Sequence, residues 1–382
     1  MVVGISKTYG GVAMWQIKGI AKNIDKPIIA PFSCKSGFVN CFLRKNITLL
    51  SHKSEKYKFA SISSLKQVDT NFPIIYDVPF DKLSKLKEGD VLRLCPDGMI
   101  QRVFEIQSEQ NVLFLTERCN SRCIMCPQPQ MPYDYSDDVI KILQCIPNKA
   151  LHHICLSGGE PTLSAKIFDI LKRLKKYPFI QPIILTNGRK FSDKNFVNQF
   201  IKNAPFNMIY AILLYSSIPL VHDKIVGIEG AFKETITGIY NLTRFRVPIE
   251  IRIVLMKQNI FNLAELAEYI GWNLPMTIHV AFMGMEVYGR ANENAEDVWI
   301  EPITYMNNLI EAVKILDYRN IPVSVYNLPL CLLPNELKKY NKVSISAWKQ
   351  GYIEKCQDCL MRDRCNGFFT TSQRIPIGIH KF

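Results

Sequence analysis

The sequence predicts an α/β protein built on a parallel sheet, with a β-rich segment before the sheet and a cysteine-rich segment after it. First, six apolar runs alternate with amphipathic stretches, the pattern of strand-helix units. Second, the first run ends in a loop that holds three cysteines. Third, four more cysteines follow the last unit, outside the predicted sheet.

The six apolar runs are predicted to be strands: VLFLTER, HHICLSG, PIILTNG, MIYAILLYS, IEIRIVLM and TIHVAFMG. The amphipathic stretches are predicted to be helices at 136–147, 163–176, 192–203, 231–245, 263–271 and 299–318. Loops at the carboxyl ends of parallel strands meet on one rim, where ligand sites form. We therefore expect one site there, built from Cys119, the Gly158-Gly159-Glu160 run, Asn187-Gly188, Ser216 and Glu286.

Residues 1–105 contain short β-leaning pieces broken by Pro, Gly and Ser, which predicts a separate β-rich domain. This segment has 16 Lys+Arg and 9 Asp+Glu, hence 16 − 9 = +7 of the chain's net +13. Such a charge suits an anionic partner or a merely solvated surface. We divide the chain into 1–105, a candidate peptide-recognition domain, 106–298, the α/β barrel domain, and 299–382, a C-terminal helix and cysteine extension.

The chain has twelve cysteines. Lysines interrupt the N-terminal apolar residues, and the apolar runs are too short to span a bilayer, so we expect a cytoplasmic protein without membrane contact. Thiols stay reduced in that compartment, which favours metal or cluster ligation over disulfides. Without an Arg-rich or basic-aromatic run, nucleic acid is not the expected partner, although the basic charge leaves it open.

The loop after the first strand carries Cys119, Cys123 and Cys126 in the spacing C-x₃-C-x₂-C. Three thiolates can bind three irons of a cubane 4Fe-4S cluster and leave the fourth iron open to another ligand. A zinc site that takes a fourth ligand from His152 or His153 is the alternative.

This spacing, followed by LSGGEPT after the second strand, resembles the radical S-adenosylmethionine (SAM) superfamily over residues 111–290. The resemblance implies a partial (β/α)₆ barrel, reductive cleavage of SAM to a 5′-deoxyadenosyl radical, and a one-electron reductant such as flavodoxin or ferredoxin. By position, Cys119, Cys123 and Cys126 would bind the cluster, while Gly158, Gly159 and Glu160 would contact the methionine amino group of SAM. Ser216 would contact the ribose and Arg252 the carboxylate; the alternatives are a turn serine and an ion pair between Arg252 and Glu250.

The second cysteine group comprises Cys331, Cys356, Cys359 and Cys365. Four thiolates suit either a complete 4Fe-4S cluster or a structural zinc ion. The spacing resembles the auxiliary-cluster extension of radical enzymes that modify ribosomally made peptides. The next cysteine of the longer pattern would fall at Phe369, so we expect at most one auxiliary cluster.

The segments LTNGR, AFMGMEVYGRA and CQDCLMRDRCNGFF make the chain most similar to the maturases of the His-Xaa-Ser peptide system, the HxsC family. That resemblance implies a precursor peptide or small protein as substrate. Modification of tRNA or a small molecule is the second hypothesis, and a non-enzymatic zinc protein that binds nucleic acid is the third. His222 is a candidate proton donor or a histidine satisfied by the backbone at a helix start, and His279 is expected to be a core or wall residue.

Overall fold

The computed structural model describes residues 15–33, 46–50, 58–128, 130–147, 153–345 and 349–382. Its strands are β1 (Gln16–Lys18), β2 (Ile20–Lys22), β3 (Ile28–Ser33), β4 (Asn46–Leu50), β5 (Lys58–Ser63), β6 (Ile74–Tyr76), β7 (Val91–Leu94), β8 (Met99–Phe104), β9 (Gln110–Phe114), β10 (His153–Ser157), β11 (Gln181–Thr186), β12 (Ile209–Leu213), β13 (Ile249–Val254), β14 (Thr277–Met283), β15 (Val323–Tyr326), β16 (Gln350–Gly351) and β17 (Phe368–Phe369). Its helices are α1 (Phe80–Leu83), α2 (Ser136–Cys145), α3 (Ile167–Leu174), α4 (Lys194–Asn203), α5 (Pro219–Val226), α6 (Ala231–Thr243), α7 (Leu263–Asn273), α8 (Arg290–Glu293), α9 (Ala295–Val298), α10 (Met306–Tyr318) and α11 (Asn335–Lys338).

The first eight strands form one sheet in the order β1-β8-β7-β3-β4-β5-β6-β2. Its two outermost strands, β1 and β2, are separated in sequence only by Gly19, so the sheet must curl back on itself. A Cβ at Gly19 would lie 2.4 Å from the Tyr76 carbonyl oxygen, which explains why glycine occupies this closure. The β-rich character expected of the N-terminal segment is present, while its boundary at residue 105 stays a prediction. An ion pair between Arg93 and Asp138 of α2 at 3.1 Å joins this segment to the rest of the chain.

The central sheet has seven parallel strands in the order β15-β14-β13-β12-β11-β10-β9. Six of them coincide with the six predicted strands, which confirms the α/β class and the partial barrel. The seventh, β15, was not predicted, because its four residues VSVY are too short to give a clear periodic signal. It pairs in parallel with β14 and extends the barrel wall by one strand.

Helices pack on one face of this sheet. Ile249, Ile251 and Ile253 of β13 belong to the same apolar core as the helices, so Glu250 and Arg252 point to the opposite face. The same alternation holds along β14 and β15. We call the side opposite the helices the inner face.

The helices differ from prediction mainly at their ends and at α5. This eight-residue helix is not among those predicted from the sequence. It begins with Pro219 at its first position, and Gly227, whose φ is 72°, follows its last residue; both are common at helix ends. The predicted helix at 299–318 is confirmed only from Met306, because a 3₁₀ turn precedes it. Of the helices described, none is long and apolar enough to cross a membrane.

The segment beyond β15 contains little regular structure and is held by side chains. Asn366 is fully buried; its amide oxygen accepts from the backbone N–H of Ser344 at 2.8 Å, and its NH₂ group donates to Asn341 and to the carbonyl of Lys342, each at 2.9 Å. Gly367 follows with φ 61°, where a Cβ would lie 2.3 Å from the Gly351 carbonyl oxygen. These contacts fix the turn that carries Cys365.

Candidate functional site

The cysteine loop is pinned to the elements around it by backbone hydrogen bonds. The N–H of Arg122 donates to the Val226 carbonyl at 2.8 Å, and that of Ile124 donates to the Ile225 carbonyl at 3.0 Å. On the other side, the N–H of Arg290 donates to the Cys126 carbonyl at 3.0 Å. The loop is thus held between the end of α5 and the start of α8.

The two glycines after β10 allow close packing against the start of the cysteine loop. The N–H of Gly159 donates to the Thr116 carbonyl at 2.7 Å. A Cβ at Gly158 would lie 2.5 Å from the Thr116 carbonyl oxygen, and one at Gly159 would lie 2.5 Å from that of Arg118. Side chains at either position would push the two loops apart.

Glu160 holds two rim loops together. Its buried carboxylate accepts from the Thr162 hydroxyl at 2.6 Å, the Thr186 hydroxyl at 2.8 Å and the backbone N–H groups of Thr162 at 3.1 Å and Asn187 at 2.8 Å. Burial raises the pKa of this carboxyl group although the hydrogen bonds oppose the shift. The arrangement gives Glu160 a supporting role, while any direct contact with a bound amino group remains a prediction.

Asn187 and Arg189 connect the third rim loop to the cysteine loop. The Asn187 amide donates to the Asn120 side chain at 2.7 Å and to the Ser121 hydroxyl at 3.1 Å. The Arg189 guanidinium hydrogen-bonds the Asn120 carbonyl and pairs with Glu234 at 2.6 Å. Sequence reasoning placed Asn187 on the rim but missed Arg189, although it ends the LTNGR segment.

The three thiols of the loop lie close enough to influence one another. Burial, and then the nearby charge of Glu160, raises the pKa of Cys119 to about 12, with Cys126 contributing. Burial, followed by Cys126 and Cys119, raises the pKa of Cys123 to about 12. The Tyr215 hydroxyl also hydrogen-bonds Cys123, a contact with no sequence signal.

This donor set fits an iron-sulfur cluster. Within the ranges that the structure covers, no three His, Cys, Asp or Glu side chains are arranged around a single metal ion. A cubane cluster binds each thiolate through a different iron, so its ligands need not converge on one point. Cys119, Cys123 and Cys126 would hold such a cluster, which in its reduced state supplies the electron for cleaving SAM.

The zinc alternative for this loop required a histidine. His153 opens β10 at the edge of the sheet away from the cysteine loop, about 13 Å of strand below Ser157. It is therefore badly placed to act as the fourth ligand. His152 lies outside the described residues.

Ser216 and His222 both make local bonds at the start of α5. The Ser216 hydroxyl accepts from the Ile218 N–H at 3.0 Å, which is the turn role considered as its alternative. His222 is 1% exposed and its Nδ1 accepts from the Tyr215 N–H at 3.3 Å. Burial lowers the pKa of His222 to about 4, so the backbone-satisfied interpretation describes this histidine better than the proton-donor one.

Arg252 lies on the inner face of β13 and its Nε donates to the Glu250 carboxylate. The ion pair considered as the alternative is thus present. It leaves other guanidinium N–H groups for a ligand, so a contact with the SAM carboxylate remains a prediction. Glu286 was also expected on the rim, and its carboxylate pairs with Lys349 of the extension at 2.9 Å.

The second cysteine group lines one cavity. Its wall includes Ile379, His380 and Phe382 together with all four cysteines, Cys331, Cys356, Cys359 and Cys365. Backbone N–H groups point at two of the sulfurs: Leu330 and Gly367 at 3.2 and 3.3 Å from Cys365, and Phe382 at 3.5 Å from Cys359. Four thiols with N–H···S donors form a suitable ligand set for a complete cluster or a zinc ion.

The segment after β14 is hydrogen-bonded to both the first cysteine loop and the C-terminal extension. The N–H of Val287 donates to the Ser372 hydroxyl at 3.1 Å, and that of Gln373 donates to the Val287 carbonyl at 2.9 Å. A few residues on, the Asn294 amide donates to the Ile124 carbonyl of the cysteine loop at 2.9 Å. One short stretch therefore contacts both the first cysteine loop and the C-terminal extension.

Comparison with known families agrees with this geometry. The description "Radical SAM superfamily" matches residues 113–270, from β9 into α7. The chain contains a radical SAM domain. Proteins of this superfamily use a 4Fe-4S cluster and SAM, which confirms those predicted cofactors and disfavours the hypothesis of a non-enzymatic zinc protein.

Among curated proteins, the radical SAM chain is similar to GTP 3′,8-cyclase of Limosilactobacillus fermentum, with 26% identity over 220 residues, 55% of this chain and 63% of the relative. It is also similar to the probable GTP 3′,8-cyclase of Thermococcus kodakarensis, with 24% identity over 41% of this chain and 52% of the relative. The match thus spans less than two thirds of these relatives.

Solved structures show a more distant likeness. Streptococcus suis SuiB bound to precursor peptide SuiA has a TM-score of 0.48 and 15% identity, covering 58% of this chain and 49% of that one. The structure of anSMEcpe with AdoMet and Kp18Cys peptide has a TM-score of 0.40 and 14% identity, covering 56% and 63%. None of these similarities singles out the HxsC family.

Proposed function

We propose that this radical SAM enzyme modifies a ribosomally synthesised peptide or small protein, with a substrate of the His-Xaa-Ser type. The observation that carries the proposal is the cavity lined by Cys331, Cys356, Cys359 and Cys365 beyond the barrel. Its cysteine pattern resembles the auxiliary-cluster extension of peptide-modifying radical enzymes. The substrate class named here also rests on the resemblance of the LTNGR, AFMGMEVYGRA and tail segments.

In this proposal Cys119, Cys123 and Cys126 bind the SAM-cleaving cluster, and the four extension cysteines bind an auxiliary 4Fe-4S cluster. Gly158 and Gly159 offer backbone groups to the methionine amino group, and Glu160 keeps their loop against Arg118 and Asn187. Ser216 and Arg252 stay candidates for the ribose and carboxylate. Flavodoxin or ferredoxin would supply the electron.

The N-terminal domain would hold the peptide. Lys82, Lys85 and Lys87 are exposed on α1 and the turn after it, on a domain whose net charge is +7 (16 basic minus 9 acidic residues). Lysines of this kind attract an anionic segment over a distance of about 10 Å at moderate salt. An acidic leader region of the precursor is the expected ligand.

The second candidate is a reaction on a small molecule, in particular a purine nucleotide, because the curated relatives are GTP 3′,8-cyclases. Against it stands the charge of the inner face. Of the described residues on strands β13 to β15, Arg252 supplies the inner-face positive charge, and Glu250 neutralises it. A triphosphate is usually bound by several cations that carry no internal partner.

One experiment separates the candidates. Anaerobically reconstituted enzyme would be incubated with SAM and dithionite, and with either GTP or a synthetic peptide of His-Xaa-Ser repeats. We expect 5′-deoxyadenosine in both reactions and a mass change only in the peptide. A modified nucleotide with an unchanged peptide would favour the cyclase-like activity, and absence of 5′-deoxyadenosine with either substrate would contradict the function altogether.

A further inference from the structure

A hydrogen-bonded chain of side chains crosses three neighbouring strands on the inner face. The Glu250 carboxylate on β13 lies 2.9 Å from Nδ1 of His279 on β14. Nε2 of the same imidazole lies 2.9 Å from the Ser324 hydroxyl on β15. The result is a Ser-His-Glu sequence of contacts, the arrangement that passes a proton in acid–base catalysis.

The direction of these bonds follows from the chemistry of the groups. An ionised carboxylate can only accept, so Nδ1 of His279 donates to Glu250. The neutral imidazole then carries a free lone pair on Nε2, which accepts from the Ser324 hydroxyl. Burial alone would raise the pKa of Glu250, but the bond from His279 and the charge of Arg252 lower it, so the carboxylate stays ionised.

The chain is open to the space inside the barrel. The side chains of His279 and Arg252 keep 19% and 18% of their exposure. Tyr326 lies two residues nearer the rim on the same face of β15, and its ring lies 6.3 Å from the imidazole. Cys155 is the other titratable group close to Arg252 and Glu250 from across the sheet.

Packing does not demand these polar groups. The residues of β12 aligned with Glu250 and Arg252 in the sheet are apolar, namely Ala211 and Leu213. Burying charged groups costs several kcal/mol each before pairing, and apolar replacements of equal volume are often as stable. A polar chain that faces an accessible interior therefore points to chemistry there.

We propose that the chain Ser324-His279-Glu250 is an acid–base relay that takes up the proton lost by the substrate when its new bond closes. The inference rests on the proposed radical modification and names a residue set for it. His279 is the proton acceptor, Ser324 delivers the proton, and Glu250 is a positioning residue that fixes the imidazole tautomer.

The step balances as follows. The 5′-deoxyadenosyl radical removes one hydrogen atom from a substrate C–H bond and becomes 5′-deoxyadenosine. The carbon radical then bonds to a heteroatom that carries hydrogen, such as an N–H, O–H or S–H group, with loss of one electron and one proton. The electron goes to a one-electron acceptor of the iron-sulfur class, and the proton comes to rest on Nε2 of His279.

The test compares His279→Gln with His153→Gln, a control at the exposed start of β10. With SAM, dithionite and the His-Xaa-Ser repeat peptide, His279→Gln should form product about 100-fold more slowly near neutral pH. Its initial rate of 5′-deoxyadenosine formation should stay within about twofold of wild type.

A second measurement needs neither cofactor nor substrate. The ¹⁵N shifts of the imidazole in labelled protein should show the neutral Nδ1–H tautomer for His279, and Ser324→Ala should shift the Nε2 resonance. Unchanged product formation in His279→Gln, or an Nε2–H tautomer in wild type, would overturn the relay. A wild type that makes no 5′-deoxyadenosine would instead refute the proposed function.

Discussion

The backbone N–H of Glu160 donates to the carbonyl oxygen of Arg118 at 2.8 Å. Arg118 directly precedes Cys119, so the loop after β10 is bonded to the first residue of the cysteine loop. The Glu160 carboxylate in turn accepts from the Asn187 N–H of the third loop. Three rim loops thus form one hydrogen-bonded unit, and changes in one should be felt at the cluster ligands.

Gly159→Ala should impair cluster assembly without touching a ligand. The added Cβ would lie 2.5 Å from the Arg118 carbonyl oxygen and 2.7 Å from that of Glu117, so the cysteine loop must move. Overpacking of this kind costs about 1–3 kcal/mol. We expect lower iron content and a lower Tm. Gly230→Ala is the control: it places alanine at a φ of 78°, but nothing lies within 4 Å of the added Cβ. Equal iron content in the two variants would contradict the prediction.

Replacing Cys119, Cys123 and Cys126 by alanine should abolish SAM cleavage and largely spare the fold, because these thiols lie on a loop outside the main core. Iron counting then tests the extension. About four irons per chain should remain if Cys331, Cys356, Cys359 and Cys365 hold a complete cluster. Roughly one zinc ion with negligible iron would identify a structural zinc site instead.

Glu160→Gln should lower the stability of the rim loops without reducing the iron content. The amide keeps one acceptor oxygen for the Asn187 N–H, while its NH₂ group faces the Thr162 and Thr186 hydroxyls, which can rotate to accept. The Thr162 N–H then loses its acceptor, a cost of about 1–3 kcal/mol. Urea unfolding should show this loss, while reconstituted iron stays near wild type. Iron loss as large as in the triple cysteine variant would contradict the supporting role.

The protein should become less stable as the pH is lowered, because of His222. Burial lowers its folded pKa to about 4 from 6.5, so the unfolded chain binds the proton more readily between these values. The stability associated with neutral His222 is present above pH 6.5 and is lost progressively down to about pH 4, by roughly 3 kcal/mol at most. Urea unfolding of His222→Gln should show a smaller slope over this interval; an equal slope in both proteins would exclude His222 as the cause.

Charge reversal of Lys82, Lys85 and Lys87 to Glu should weaken binding of an acidic precursor peptide about tenfold at low salt, with less effect at high salt. Fluorescence anisotropy with a labelled peptide measures this. SAM cleavage without peptide should be unchanged. A matched triple reversal at the exposed lysines 172, 176 and 194 should bind like wild type; equal losses in both triple variants would show a general charge effect instead of a peptide site.

The sequence by itself determined the six barrel strands and the rim on which their loops meet. Both follow from local rules: apolar runs of strand length alternate with amphipathic helices, and loops at the carboxyl ends of parallel strands share an edge. The cysteine spacings also need no tertiary information, because ligand number follows from residue type. Short elements such as β15 have too few residues to give a clear periodic signal.

Only the tertiary structure decided which side chains of different strands and loops contact one another. Arg252 and Glu250 could be paired from sequence because they lie two residues apart on one strand. The extension of that pair to His279 and Ser324 could not, since it depends on the register between β13, β14 and β15. The support that Glu160 gives to Asn187, and the convergence of Cys331 with the later cysteines of the tail on one cavity, likewise arise from contacts between residues far apart in the chain, which leave no periodic pattern in the sequence.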